Sequence, residues 1–240
     1  MTQNQPIKIA LAGNPNVGKS TLFNTLTGLK QHTGNWPGKT VVLAEGSFSF
    51  KGREYTIVDL PGTYSLLSTS ADEEVARDFI VFEKPDITIV VVDATTLERN
   101  LNLALQVMEI TDRVILCINL IDEAKKKGII IHENIMMDKL GVPVIKISAR
   151  NKMGIPLLLD TIDRMVTGKI TTSPYQMKYS EEVEEKLNQL IPKVEKLVGN
   201  DLSPRWLALK LLDGDESILQ TYIKRKEQGQ GAEKTNEYVR

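Results

Sequence analysis

Five apolar runs frame the chain: IKIALAG from Ile7, YTIVDL from Tyr55, ITIVVVD from Ile87, VILCINL from Val114 and VPVIKIS from Val142. Most are apolar without interruption, the pattern of strands covered on both faces rather than one. Between them, helical patterns span 19–28, 71–83, 97–111 and 154–166. Strand–helix alternation predicts an α/β fold whose sheet is mostly parallel, joined by right-handed crossovers. VVLAEGSFSF and REYTIVDL flank Lys51-Gly52 and read as a hairpin, so one antiparallel edge strand is expected. The stretch HTGNWPGKT, from His32 to Thr40, carries Gly, Asn, Pro and Gly and reads as an irregular loop.

Beyond Gly168 the pattern changes. Residues 171–174, Thr-Thr-Ser-Pro, read as a linker, and only helical patterns follow. Val183, Leu187, Leu190, Val194 and Leu197 form one stripe, with Pro192 expected to kink or divide the helix. Ser203-Pro204 is an N-cap and first-turn pair for RWLALKLLDG, and Gly214 is its stop. Asp215 begins a further helix, and the polar end EQGQGAEKTNEYVR should fray. The division is therefore 1–170 for the α/β domain and 171–240 for an all-helical one.

Composition narrows the function classes. The net charge of -1 gives no basic field for nucleic acid or anionic lipid. The single cysteine, Cys117, excludes an internal disulfide, suggests a reducing compartment and reads as a buried strand residue. No signal peptide is evident, and no run reaches the ~18 apolar residues of a membrane span.

The chemistry lies at the ends of the strands. GNPNVGKS, Gly13 to Ser20, matches G-x-x-x-x-G-K-[ST] between a predicted strand and a predicted helix. Its backbone N–H groups, from Gly13, Asn14, Asn16, Val17 and Gly18 onward to Thr21, should wrap phosphate oxygens at a helix N-terminus. Lys19 should reach the β- and γ-phosphates and Ser20 should ligate Mg²⁺. DLPG ends another strand. Asp59 can hold Mg²⁺, and the Gly62 N–H can bond a γ-phosphate. NLID ends VILCINL. Asp122 can accept from both N1–H and the 2-amino group of guanine, a donor pair that adenine lacks. Asn119 would brace neighbouring loops, and backbone N–H groups of SAR, at Ser148 and Ala149, could meet guanine O6.

These four blocks, over about 7–167, resemble the translation-factor-like branch of the P-loop GTPases. The resemblance implies a Ras-like sheet and hydrolysis of GTP to GDP. The usual Lys of the guanine motif is Leu120 here, which removes its cationic stacking. HTGNWPGKT then occupies the place of switch I, with Thr40 as the threonine that ligates Mg²⁺ and senses the γ-phosphate.

GNPN, GNWPG and DLPGTYSL together are similar to the cytosolic domain of the bacterial ferrous-iron transporter B family. That resemblance implies a G domain, a small helical domain that favours GDP binding, and a membrane-embedded domain of the same full-length protein. It places this chain as a soluble fragment at the cytoplasmic face of the bacterial inner membrane, and a homo-oligomer remains open. Thr63 follows DLPG where Ras-type enzymes have a water-orienting glutamine, and no arginine finger is obvious. The family implies K⁺ in compensation, held by the Asn16 side chain and the main-chain carbonyls of Gly34 and Trp36. Trp36 either anchors the loop for that purpose or simply packs on the protein, and the two readings are compatible.

Other features are bland. His32 and His132 have no neighbouring Cys or His in the sequence, so an iron site on this chain is not expected. The acidic run Glu181-Glu182-Val183-Glu184-Glu185 reads as a solvated first helical turn. Ser70-Ala-Asp-Glu73 reads as a capping box opening the switch II helix, and Trp206 as core between helices or against the G domain, with an interaction surface as the alternative. Two other functions stay open: a ribosome- or tRNA-associated GTPase, and a nucleotide-gated switch with negligible intrinsic hydrolysis.

Overall fold

The computed structural model describes residues 6–28, 31–36, 41–67 and 70–237. The chain divides into two compact units, 1–177 and 178–240. In the first, the order is β1 (Ile7–Gly13), α1 (Lys19–Thr27), β2 (Gln31–Asn35), β3 (Val42–Phe50), β4 (Arg53–Asp59), α2 (Ala71–Phe82), β5 (Ile87–Asp93), α3 (Leu97–Ile110), β6 (Val114–Asn119), α4 (Ile121–Lys126), α5 (Glu133–Leu140), β7 (Val144–Lys146) and α6 (Ile155–Val166).

One seven-stranded sheet runs β2-β3-β4-β1-β5-β6-β7. From β4 through β7 every pairing is parallel. Alternate residues of the same strands supply two apolar clusters. Ala10, Val58, Val90 and Leu116 belong to one; Ile9, Ile57, Ile89 and Cys117 belong to the other. That is why the runs read as continuously apolar: each residue, odd or even, has a covered face to enter. Cys117 is fully buried, and burial pushes its thiol pKa up, so it is packing material rather than a nucleophile.

The strand that opposes the others is β3, antiparallel to both β4 and β2. It lies one position in from the edge, and β2 forms the edge. Lys51 and Gly52 both have positive φ, 49° and 76°, as a two-residue hairpin turn requires. The irregular loop expected from His32 is a strand as far as Asn35. The Gly and Asn that suggested a loop are tolerated because β2 pairs on one side only.

In the second unit α7 (Glu181–Val198) runs unbroken through Pro192. Its buried positions are Leu187, Val194 and Val198, whereas Leu197 is exposed. Eleven residues complete three turns at 3.6 per turn, so Val198 and not Leu197 returns to the face of Leu187. Glu184 of the acidic run is not simply solvated. It takes both Arg205 guanidinium nitrogens at 2.9 and 3.0 Å, which holds its carboxyl down at about 2. Ser203 caps α8 (Pro204–Leu212) by accepting from the Trp206 N–H, and Trp206 is buried. The last helix, α9 (Ser217–Glu237), runs on into the end expected to fray, as far as Glu237.

Residues 171–177 are bonded to the first unit. The Ser173 N–H donates to Gly141 O (3.0 Å), the Tyr175 N–H to Leu140 O (2.8 Å) and the Met177 N–H to Glu109 Oε1 (2.9 Å).

Candidate functional site

Strands β1, β4, β5 and β6 end side by side: Leu11 is level with Asp59, Gly13 with Val91, and Asp93 with Asn119. The sheet order reverses at β1, with the next parallel strands laid on opposite sides of it. Beyond the carboxyl ends of such strands an α/β sheet opens a crevice. The chain leaves β1 at Gly13, where a Cβ would stand 2.6 Å from Val91 O. It turns through Asn16 (φ 66°) and Gly18 (φ 79°) and starts α1 at Lys19. Backbone N–H groups at that helix start have no partner of their own within the helix, so they suit an anion.

Lys19 is buried, and its ammonium donates to the Asp59 carboxylate and to Leu60 O. The Ser20 hydroxyl donates to the other Asp59 oxygen at 3.1 Å. Lysine, hydroxyl and carboxylate therefore converge at the N-terminus of α1. The pair Ser20 and Asp59 is a hard-oxygen donor set of the kind Mg²⁺ takes. The end of β4 then lies on the phosphate loop. The Thr63 N–H donates to Gly13 O at 3.2 Å, and a Cβ on Gly62 would be 3.3 Å from Pro15.

Asn119 joins the two halves of the crevice. Its Nδ2 donates to Val17 O (2.9 Å), and its Oδ1 accepts from the Ala149 N–H (3.0 Å). It is fully covered, as are Ser148 and Ala149. Asp122, in the first turn of α4, accepts from Asn151 Nδ2 at 3.1 Å, and Asn151 also donates to Ser148 Oγ. Asp122 Oδ1 is sealed from solvent without a partner in hydrogen-bond geometry. The adjacent Ser148 hydroxyl, helped by the N–H groups opening α4, still holds this carboxyl below its ordinary range. Asn151 was not found by sequence reasoning; the only signal was a polar amide directly after SAR. Leu120, at the helix entry, adopts φ 62°.

The described residues of HTGNWPGKT, up to Trp36, make their contacts elsewhere. Thr40 lies outside the described residues. Gly34 pairs with Leu43, and the Trp36 N–H donates to Val41 O at 2.9 Å. In an antiparallel ladder, bonded and non-bonded pairs alternate, so Gly34 and Leu43 form the next bonded pair and the Gly34 carbonyl is engaged there. The Trp36 ring packs on Phe79 of α2, 5.6 Å between centroids. Neither contact involves Asn16, which is exposed in the phosphate loop. Trp36, Phe79, Leu43 and Val58 line a cavity of about 400 Å³, rimmed by Lys8 and Glu83, away from the phosphate loop.

Among the described residues, no helix is long and apolar enough to cross a membrane.

The family model described as ferrous iron transport protein B matches residues 7–162, and that of the FeoB cytosolic helical domain matches 179–240. The Fe(2+) transporter FeoB of Methanocaldococcus jannaschii is 46% identical over 88% of this chain, and that of Escherichia coli K12 is 40% identical over 87%. This chain spans 31% and 27% of their lengths. Among solved structures, the cytosolic domain of T. maritima FeoB in a GDP form matches with a TM-score of 0.83 at 39% identity, covering 91% of this chain and 85% of that one. The G domain of Methanococcus jannaschii FeoB matches at 0.60 and 48% identity, covering 68% of this chain and 98% of that one. A Ras-like G domain followed by a helical segment, carrying these motifs and these likenesses along its length, belongs to the ferrous iron transport protein B family.

Proposed function

We propose that this chain binds GTP and GDP and hydrolyses GTP slowly, as the regulatory part of a ferrous-iron membrane transporter. The observation that carries the reading is the Asn119 bridge. One buried amide ties the phosphate loop at Val17 to the Ser148-Ala149 loop, so a phosphate-binding end and a base-binding end are built as one unit.

The assigned roles follow the chemistry of each group. The N–H groups of Gly13 through Thr21, including Asn14, Asn16, Val17 and Gly18, hold the phosphates. Lys19 trades its Asp59 carboxylate for β- and γ-phosphate oxygens, staying in a site that already stabilises its charge. Ser20, Asp59 and Thr40 would hold Mg²⁺, which supplies charge neutralisation across the phosphates when bound. The Gly62 N–H donates to the γ-phosphate. Asp122 takes the guanine N1–H and 2-amino donors, with Asn151 and Ser148 fixing its orientation, and the Ala149 N–H faces O6.

The same reading assigns K⁺ to Asn16 and the carbonyls of Gly34 and Trp36, where it would offset charge developing between the phosphates. The ladder contact of Gly34 adds a condition: β2 must peel from β3 before that carbonyl can turn to a cation. Trp36 must leave Phe79 or carry α2 with it. Slow hydrolysis and salt dependence then share one cause. The second unit, 178–240, acts as a helical domain that favours GDP. The membrane-embedded remainder of the full-length protein is the partner, which sets the chain at the cytoplasmic face of the membrane.

The test is steady-state GTP hydrolysis with Mg²⁺ in KCl and in NaCl at equal ionic strength, for wild type and Asn16→Ala. KCl should accelerate the wild type, by about tenfold or more if the cation removes even one tenfold step of the barrier. Asn16→Ala should lose the acceleration. Equal rates in the two salts would sink the potassium assignment and leave Trp36 as a packing anchor.

A further inference from the structure

Asn14 presents a contradiction in the phosphate loop. It is 2% exposed, and both polar atoms of its side chain are buried without a hydrogen-bond partner. A primary amide offers two donors and an acceptor with two lone pairs. Leaving all of them unmade in the interior is costly, and native proteins keep such a group where it has a task.

Its surroundings point to the task. The residue before it, Gly13, accepts the Thr63 N–H, and the residue after it, Pro15, is so near that a Cβ on Gly62 would stand 3.3 Å from it. The segment Gly62-Thr63 thus lies against both chain neighbours of Asn14, and Thr63 is buried there. Gly62 is the group assigned to the γ-phosphate. Thr63 fills the place where a glutamine would otherwise orient the attacking water.

We infer that Asn14 is a positioning residue: its amide takes the Thr63 hydroxyl when Gly62 engages a γ-phosphate, fixing Gly62-Thr63 for hydrolysis. With GDP there is no γ-phosphate to draw Gly62 up, and the amide stays unpaired. The cost of the orphaned amide then favours the triphosphate-bound arrangement, the only one in which it is repaid. The Asn14 side chain touches neither nucleotide nor water in this scheme; it acts through Thr63, while the backbone N–H keeps its phosphate. The inference deepens the hydrolysis reading and rests on it.

The experiment is a double-mutant cycle with Asn14→Ala and Thr63→Val, reading kcat for GTP, KM, and separate affinities for GDP and for the non-hydrolysable analogue GMPPNP. Each single variant should lower kcat about five- to tenfold, the scale of one hydrogen bond. GDP affinity should stay within twofold. The double variant should be no slower than the slower single, because both remove the same contact. Thr63→Ser, which keeps the hydroxyl, should retain most of the rate, so the contact is tested even if Asn14→Ala folds poorly. Additive losses, equal loss of GDP and GMPPNP affinity, or a slow Thr63→Ser would overturn it. Should the wild type hydrolyse no GTP, the hydrolysis reading fails on its own. The contact is then judged on binding: a lowered ratio of GMPPNP to GDP affinity in Asn14→Ala supports it, and an unchanged ratio rejects it.

Discussion

Asp122→Asn should weaken GDP and GTP binding by about 10²–10³ and strengthen binding of the xanthine nucleotides. Asp122 presents one carboxylate oxygen to Asn151 and keeps the other sealed without a partner. A carboxylate held charged in that position rewards a ligand that brings donors and penalises one that does not. Guanine brings two. An asparagine keeps one acceptor and turns the other oxygen into an N–H, which then faces the guanine 2-amino group donor to donor. One hydrogen bond is kept and the other is replaced by repulsion between donors, and mismatches of this kind in hydrogen-bonding sites cost orders of magnitude. Xanthine carries a carbonyl at C2 and reverses the argument. Calorimetric titration with GDP and with xanthosine diphosphate measures both changes. An Asp122→Asn protein that binds GDP within threefold of wild type would remove Asp122 from the base site.

Gly18→Ala should abolish nucleotide binding and lower the melting temperature by about 10 °C. Two penalties coincide at this position. The backbone has φ 79°, where a Cβ costs about 1–2 kcal/mol. The added carbon would also stand 2.3 Å from Asn119 Nδ2. Asn119 must then leave Val17 O, and its hold on the Ala149 N–H goes with it. A buried amide torn from two partners adds a cost of similar size, and about 3 kcal/mol in all lowers the melting point of a domain this long by roughly that amount. Gly34→Ala is the control. A Cβ there meets nothing within 4 Å, so stability should barely change. Differential scanning calorimetry of the two variants separates the cases. Equal melting points for Gly18→Ala and wild type would mean that the loop yields around Asn119, and the bridge would lose its structural role.

The parallel half of the sheet was legible because burial on both faces leaves an unmistakable signature, as in ITIVVVD and VILCIN. The phosphate loop was legible because its spacing is a backbone requirement: Gly13 stands against the Val91 carbonyl and Gly18 against Asn119. Features whose cause lies elsewhere in the chain were harder to see. β2 exists because β3 offers an open edge, and nothing within QHTGN announces it. α4 and α5 are short. α5 buries no residue and rests only its partly covered methionines and Leu140 on the core, so its apolar pattern is faint. The stripe on α7 was read one residue out at its end, Leu197 for Val198, because leucine looks more like core than valine does while the helical period favours the valine. In the site, Asn119 and Asp122 could be named from NLID. Asn151, which orients Asp122, could not, because its role depends on the turn that returns the chain from Ala149 toward α6.

The most direct measurement is single-turnover hydrolysis by the purified chain in KCl with Mg²⁺, using GTP and ATP in parallel and Lys19→Ala as the blank. The expected result is slow conversion of GTP to GDP and phosphate, no conversion of ATP, and no conversion of either by Lys19→Ala. GTP bound tightly but left intact would contradict it, and would make the chain a nucleotide-gated switch whose hydrolysis depends on a partner.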